Sequence, residues 1–482
     1  MEFRREAGSR EPVYRQLARY YERRIAAGEL LPGEPLPAER ELAKRLGMNR
    51  STVAAAYADL RSAGLVSSVR GSGTRVSETL WGDAPKRNMN WHAYVEGGAF
   101  VPTRELVRQT REMAEQPGVV NLARGELSPE LMPKGVLRQL SGGLGLELPF
   151  GYADARGDKA VRERLSVHLH DRHGIAAGPD ELLLTGGAQQ ALHLIASCLL
   201  RPGDAIGMEG PSYTYSRSLF MSAGLRLFQI AMDEQGLIPE AVADLYARHR
   251  IRMIFINPTY QNPTGTTLSA ARRLELLAIC QERRIPIVED DPYSLLPALG
   301  SPLPPASLKA LDPSGDAVLY VGTLSKIAAP GLRTGWIAAP AGVIRRLAEA
   351  KEEMDYGFSA VLQELTLAIL DSKLWESELE RIRAGLTGRR DRMLEALKLH
   401  LADAAEWKAP DGGYYLWLRL KDRIGEPDLL REAAARGVAL VPGSVYGARP
   451  GCLRLAFSRE SEERVGEGIA RLAAVLAAAR CR

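Results

Sequence analysis

Apolar residues recur at every fourth position from Val13 to Ala27, at Leu17, Tyr21 and Ile25, the spacing of one helix face. Gly28 and the Pro32-Gly33 pair end that stretch. A short helix is predicted from about Leu36 and stops at Gly47. Asn49 is placed to cap a third helix, Arg50 to Ala63, with Val53, Tyr57 and Leu60 on one side. Leu65–Val69 and Thr74–Val76 flank Arg70-Gly-Ser-Gly73, a strand–turn–strand signal. Three helices and a hairpin make a winged helix-turn-helix, a shape that sets the start of its second motif helix at base edges. Residues 77–90 show no sustained period and read as a linker.

From about Trp91 helical patterns alternate with short apolar runs. The runs are 181–184, 205–208, 253–256, 285–288 and 317–321, and the helices between them include Gln189–Leu200 and Ser269–Arg284. This alternation predicts an α/β body: a mostly parallel sheet with helices on both faces and ligands beyond the strand carboxyl ends. The expected organisation is residues 1–76, a linker over 77–90, and a body over 91–482. Length alone suggests roughly three domains at ~150 residues each.

Composition narrows the picture little. The chain has 482 residues, 45% hydrophobic and 25% charged, as in ordinary globular protein. No run of 18 apolar residues suits a membrane span, and the charged start lacks a signal-peptide core. Cys198, Cys280, Cys452 and Cys481 lie without metal-ligand spacing, so no metal is expected and free thiols in a reducing cytoplasm are. The net charge of +4 lies wholly in residues 1–80, which hold 14 basic and 10 acidic residues. That excess is too small to indicate nucleic acid by itself.

The candidate chemistry follows the strand ends. After 317–321 comes Thr323-Leu-Ser-Lys326, with Arg333 seven positions further on. A desolvated lysine offers free amine to an aldehyde, and Thr323 and Arg333 suit a phosphate. Aldehyde and phosphate together describe pyridoxal 5′-phosphate (PLP); a surface lysine on a loop is the plain alternative. After 181–184, Gly186-Gly187-Ala188-Gln189 leads into a helix, an anion site or an ordinary tight turn. Tyr213 suits stacking on a pyridine or core packing. Asn262 and Tyr293 are placed to donate to a phenolic oxygen. Asp290, chosen over Asp291 by its three-residue spacing from Tyr293, suits a protonated pyridine nitrogen or a capping role.

Two resemblances emerge from these motifs. Pro12 to Val76 resembles the DNA-binding domain of the GntR family, through Leu36-Pro-Ala-Glu-Arg-Glu-Leu-Ala, Asn49-Arg-Ser-Thr-Val, Gly64-Leu-Val and Arg70-Gly-Ser-Gly-Thr. The resemblance implies that Arg40, Asn49, Arg50, Ser51 and Thr52 meet double-stranded DNA, with Arg70 and Gly71 as the wing contact. Ala54 and Ala55 depart from it, standing where many such helices carry a long polar side chain. From Val119 onward the chain resembles the fold type I PLP enzymes of the aspartate-aminotransferase-like family. Gly-Gly-Ala-Gln, Asn-Pro-Thr-Gly, Asp-x-x-Tyr, Ser-Lys and Arg-x-Gly-Trp carry that likeness. It implies a large mixed sheet with a small C-terminal α+β subdomain and Lys326 as the PLP lysine. It gives catalytic roles to Lys326, Asp290 and Tyr293, and assigns Gly187, Ala188, Gln189, Tyr213, Asn262, Thr323 and Arg333 to the cofactor. Tyr152 would reach the phosphate of a partner subunit, so a homodimer is expected. Arg454 would clamp an effector carboxylate, and Gly125 falls in a loop lining the same site.

In combination the two parts resemble the MocR/GabR regulators. That implies a cytoplasmic bacterial protein, on the nucleoid when DNA-bound, sensing an amino acid or amine through an external aldimine at PLP. Two other readings stand beside it. One is an active aminotransferase of 2-aminoadipate type with an appended DNA-binding domain. The other is a regulator of vitamin B6 metabolism that senses PLP itself.

Overall fold

The computed structural model describes residues 3, 11–69, 73–77, 97–101, 105–143, 151–216, 218–422 and 424–480. It divides into two compact units, Met1–Gly98 and Ala99–Arg482. Apart from Ser77, the expected linker lies outside the described residues.

The first unit runs α1 (Val13–Ala26), α2 (Glu39–Leu46), α3 (Arg50–Ser62), β1 (Val66–Val69) and β2 (Gly73–Val76). The stripe of α1 at four-residue spacing is buried, and its Leu17, Tyr21 and Ile25 share one core with Val53, Tyr57 and Leu60 of α3. The Tyr57 hydroxyl donates to the Pro37 carbonyl at 2.8 Å and ties the lead-in of α2 to α3. Strands β1 and β2 pair antiparallel, with Val66 opposite Val76. The expected cap differs in one respect. Asn49 holds the N-cap position with extended backbone, but its side chain makes no capping bond. Its carbonyl still accepts from Thr52 N at 3.0 Å, so the turn closes through backbone alone and the amide stays at the exposed helix start.

The second unit opens with α4 (Glu105–Ala114) and β3 (Val120–Asn121). Then follow β4 (Leu182–Thr185), β5 (Ala205–Gly210), β6 (Arg226–Asp233), β7 (Gly236–Leu237), β8 (Met253–Ile256), β9 (Ile287–Asp291), β10 (Val318–Thr323) and β11 (Gly335–Ala338). These eight form one sheet, in the order β4-β11-β10-β9-β8-β5-β6-β7. Strands β10, β9, β8, β5 and β6 run parallel; β11 pairs antiparallel with both β10 and β4. The sheet is thus mixed and mostly parallel, as expected. The later strands are β12 (Ala405–Trp407), β13 (Tyr415–Leu420), β14 (Val438–Ala439), β15 (Val441–Pro442) and β16 (Cys452–Ala456). They build a four-stranded sheet β12-β13-β16-β15, while β14 pairs with β3.

Each apolar run named from sequence overlaps a strand, and the short all-buried pattern explains why. Strands β6 and β11 went unpredicted. Strand β6 is half exposed, and Gly-Trp-Ile-Ala of β11 is too short to show a period. Length suggested three domains, yet the body is one unit. Leu184 and Tyr320 of the large sheet belong to the same apolar core as Leu416 and Leu453 of the small one, so one continuous core spans both sheets.

Candidate functional site

Loops at the carboxyl ends of β4, β5, β8, β9 and β10 converge on a cleft of about 360 Å³. Residues of the small sheet and of α4 complete its wall. Parallel strands deliver their ends to one edge, so motifs far apart in sequence meet there.

Lys326 stands just past β10 and lines the cleft, with Nζ donating to the Gly125 carbonyl at 2.5 Å. Tyr414 donates its hydroxyl to the Lys326 carbonyl and holds that turn in place. Gly125 is required by close approach: a Cβ there would lie 1.7 Å from the Tyr415 hydroxyl.

The helix Ala188–Leu199 starts at the cleft, and Ala188 and Gln189 line it. Its first-turn amides carry the partial positive charge of a helix N-terminus. Arg333 donates to the Gly186 carbonyl at 2.7 Å and stands beside that turn. Thr323 lies here too, but its hydroxyl donates to the Thr334 carbonyl at 2.7 Å. Ser325, 3.0 Å from that hydroxyl, also lines the cleft. Three anion-seeking elements therefore meet within one wall.

Asp290 and Asp291 are adjacent on β9, so their side chains leave opposite faces. Asp290 lines the cleft and accepts from the Tyr213 hydroxyl. Asp291 accepts from the Tyr320 hydroxyl at 3.0 Å and lies 3.7 Å from His173 Nδ1. Burial pushes the His173 imidazole pKa down and outweighs the pull of Asp291. Asn257 Nδ2 donates to the Asp290 carbonyl at 2.8 Å, and its Oδ1 accepts from Asn262 N at 2.8 Å. Asn262 Oδ1 in turn accepts from Arg454 Nη1 at 3.0 Å. Arg454 is buried between the rings of Tyr415 and Tyr446, 4.3 and 5.0 Å from their centroids, and also donates to the Ala123 carbonyl. The Tyr293 hydroxyl donates to that of Tyr415 at 3.2 Å; burial raises its pKa well above the usual phenol.

Of the residues named from sequence for PLP and effector, the fold brings all but Gly187 and Tyr152 to the cleft wall. Gly187 precedes Ala188 as the helix N-cap. Tyr152 is 88% exposed and packs its ring 5.1 Å from that of Tyr356. Sequence reasoning missed Ser325, Tyr415, Tyr446 and the inward face of α4. The Gly412-Gly413-Tyr414-Tyr415 run carried a signal for the tyrosines, since two glycines beside two large rings mark close packing.

Beneath the cleft Glu209 is fully buried and accepts from Asn257 N at 2.9 Å and Gln261 Nε2 at 3.3 Å. Burial pushes its carboxyl up to about 7. The folded chain therefore holds this proton more tightly than the unfolded chain, whose carboxyl sits near 4.5. The contribution to stability is fully present below pH 4.5 and is lost as pH rises through about 7. Glu209→Gln is expected to remove that part of the decline, on the order of a few kcal/mol. Urea-unfolding midpoints of the two proteins at pH 5 and pH 8 check it.

In the first unit Arg40, Asn49, Arg50 and Ser51 are exposed, and Thr52 is half-buried at the start of α3. Arg50 Nε lies 3.5 Å from Glu39. Arg70 and Gly71 lie outside the described residues. Among the described residues no helix is long and apolar enough to cross a membrane.

Comparison with known proteins follows the same division. The gntR family of bacterial regulatory proteins matches residues 13–76, and aminotransferase class I and II matches residues 117–472. The chain is 35% identical to the uncharacterized HTH-type transcriptional regulator YdfD of Bacillus subtilis, over 95% of each chain. It is 32% identical to aromatic-amino-acid aminotransferase 1 of Thermococcus litoralis, over 83% of this chain and 97% of that one. The crystal structure of Pyrococcus horikoshii kynurenine aminotransferase superposes with a TM-score of 0.73 at 32% identity, covering 78% of this chain and 95% of that one. The enzymes of this fold depend on PLP as a family. A DNA-reading unit of gntR type and an aminotransferase body in one chain make this protein a transcription regulator of the MocR-type family.

Proposed function

We propose that the aminotransferase-like unit holds PLP on Lys326 and reads an amino acid or amine that binds there, changing how the protein binds DNA. The observation that carries this reading is the convergence of Lys326, Asp290, Arg333 and Arg454 on one cleft. The donor set fits PLP group by group: an amine for the aldehyde, a guanidinium and helix start for the phosphate, a carboxylate for the pyridine nitrogen. When bound, PLP supplies an aldehyde that combines reversibly with amines and a ring that draws electrons.

The chain's own residues then divide the work. Arg333, Ser325, Thr323 and the turn Gly187-Ala188-Gln189 hold the phosphate. Asp290 keeps a proton on the ring nitrogen. Asn262 and Tyr293 serve the phenolic oxygen. Tyr213 covers the ring, which needs its hydroxyl to turn from Asp290. Gly125 holds Lys326 through its carbonyl, and Arg454 clamps the effector carboxylate. Arg40, Asn49, Arg50, Ser51, Thr52, Arg70 and Gly71 face double-stranded DNA in the gntR manner. The exposed Tyr152 and Tyr356 support a homodimer in which Tyr152 serves the partner's phosphate. The working protein is cytoplasmic, and on the nucleoid when bound to DNA.

A second reading, an active aminotransferase, is favoured by the completeness of the cleft and by the likeness to the Thermococcus enzyme. One titration separates the readings. Amino acids are added to PLP-loaded protein while visible absorbance and binding to a labelled DNA duplex, selected by the protein from random sequence, are followed together. A coupled change in both is expected. An absorbance change with constant DNA affinity overturns the switch. Sustained keto-acid release favours the enzyme. A DNA response to PLP alone favours a vitamin B6 sensor.

A further inference from the structure

We infer that Arg111 forms a second anion subsite in the cleft, and that the effector is an amino acid with a side-chain carboxylate. This rests on the amino-acid-sensing reading above and adds the ligand's chemical class.

The argument is a matching of charges. Lys326, Arg333, Arg454, Arg124 and Arg111 line the cleft, and Asp290 is the one acidic residue among its lining residues. Four of the cations have a counterpart. Lys326 meets the aldehyde, Arg333 the phosphate, and Arg454 the effector's first carboxylate. Arg124 is neutralised within the protein, 3.2 Å from Glu115 and 3.9 Å from Glu126. Arg111 is left over. Glu115 lies one helical turn beyond Arg111, but it is engaged by Arg124. Arg108 takes the carboxylates of Glu105 and Glu112 on the same helix. Among the described residues Arg111 has no recorded ion pair.

Its placement is built by the helix. Val107, Thr110, Arg111 and Ala114 have the i, i+3, i+4, i+7 spacing of one face, and all four line the cleft. Thr110 donates its hydroxyl to the Leu106 carbonyl at 2.8 Å. Arg111 is thus the group on this wall with donors to give. The cleft presents a buried guanidinium, Arg454, on the β16 side and an exposed one, Arg111, on the α4 side. Two separate forked donors suit two carboxylates on one ligand.

The test uses the PLP-loaded full chain with L-2-aminoadipate, L-glutamate and L-norleucine, read by calorimetry and by the DNA-binding assay. At least one acidic amino acid is expected to bind about threefold to fivefold tighter than norleucine, the yield of an exposed ion pair. Arg111→Ala should bring the ratio of dissociation constants close to one, Arg111→Lys should keep part of it, and Arg111→Glu should reverse it. The ratio is taken within each variant, so a general loss of stability cancels. Equal binding of acidic and neutral amino acids by the unsubstituted protein overturns the inference. So does a preference that survives Arg111→Ala. Silence towards every amino acid overturns the broader sensing reading and this one with it.

Discussion

Lys326→Ala is expected to abolish the visible absorption of the lysine-bound cofactor and to lower PLP retention by about tenfold or more, since the covalent link is gone. Alanine removes the amine and its bond to the Gly125 carbonyl, but leaves the Lys326 carbonyl that Tyr414 engages. The fold should therefore persist, and binding of DNA by the first unit should persist with it. Absorbance of desalted protein and fluorescence anisotropy with labelled duplex measure the two halves. Arg40→Ala with Arg50→Ala is expected to do the reverse: the band stays, and the salt dependence of DNA binding falls by roughly two in slope. A band that survives Lys326→Ala would assign the cofactor to another lysine.

Gly335→Ala is the second large effect. A Cβ on Gly335 would lie 2.7 Å from Gly187 C and 2.8 Å from Ala188 N. These are backbone atoms, where β11 crosses the start of the helix Ala188–Leu199. A side chain can swing aside; this turn can yield only by shifting the amides offered to the phosphate. Overpacking of this kind costs about 1–3 kcal/mol. The expected result is a lower thermal midpoint together with weaker PLP loading. Unchanged loading in the variant would mean that the Gly187 turn does not carry the phosphate.

The reach of the sequence differed from residue to residue. Asp290 was separable from Asp291 because strand alternation sends neighbours to opposite faces, and Tyr293 three residues on gave the register. Lys326 was legible because one lysine among small and hydroxyl residues follows a buried strand. Tyr414 and Tyr415 are alike in sequence, and only the fold sends one hydroxyl to the Lys326 carbonyl and the other to Tyr293. Thr323 reaches the cleft, but its hydroxyl donates to the Thr334 carbonyl and has to turn to serve a phosphate; that bond follows from the pairing of β10 with β11, a strand with no visible period in the sequence. The face of α4 could not be assigned because its contact with the cleft is made across more than 300 residues of chain from Arg454. Asn49 shows the limit of local rules: the cap position was legible, the missing side-chain bond was not.

Helix α4 begins at Glu105, a few residues beyond the division at Gly98 and Ala99. It packs Met113 into the core shared by both sheets. The remaining walls of the cleft come from strand ends, the loops and helix start beyond them, and the small sheet. Along the polypeptide, α4 is the wall that stands nearest to the DNA-reading half. Whatever grips the ligand there holds the part of the cleft that comes first along the chain after the DNA-reading half.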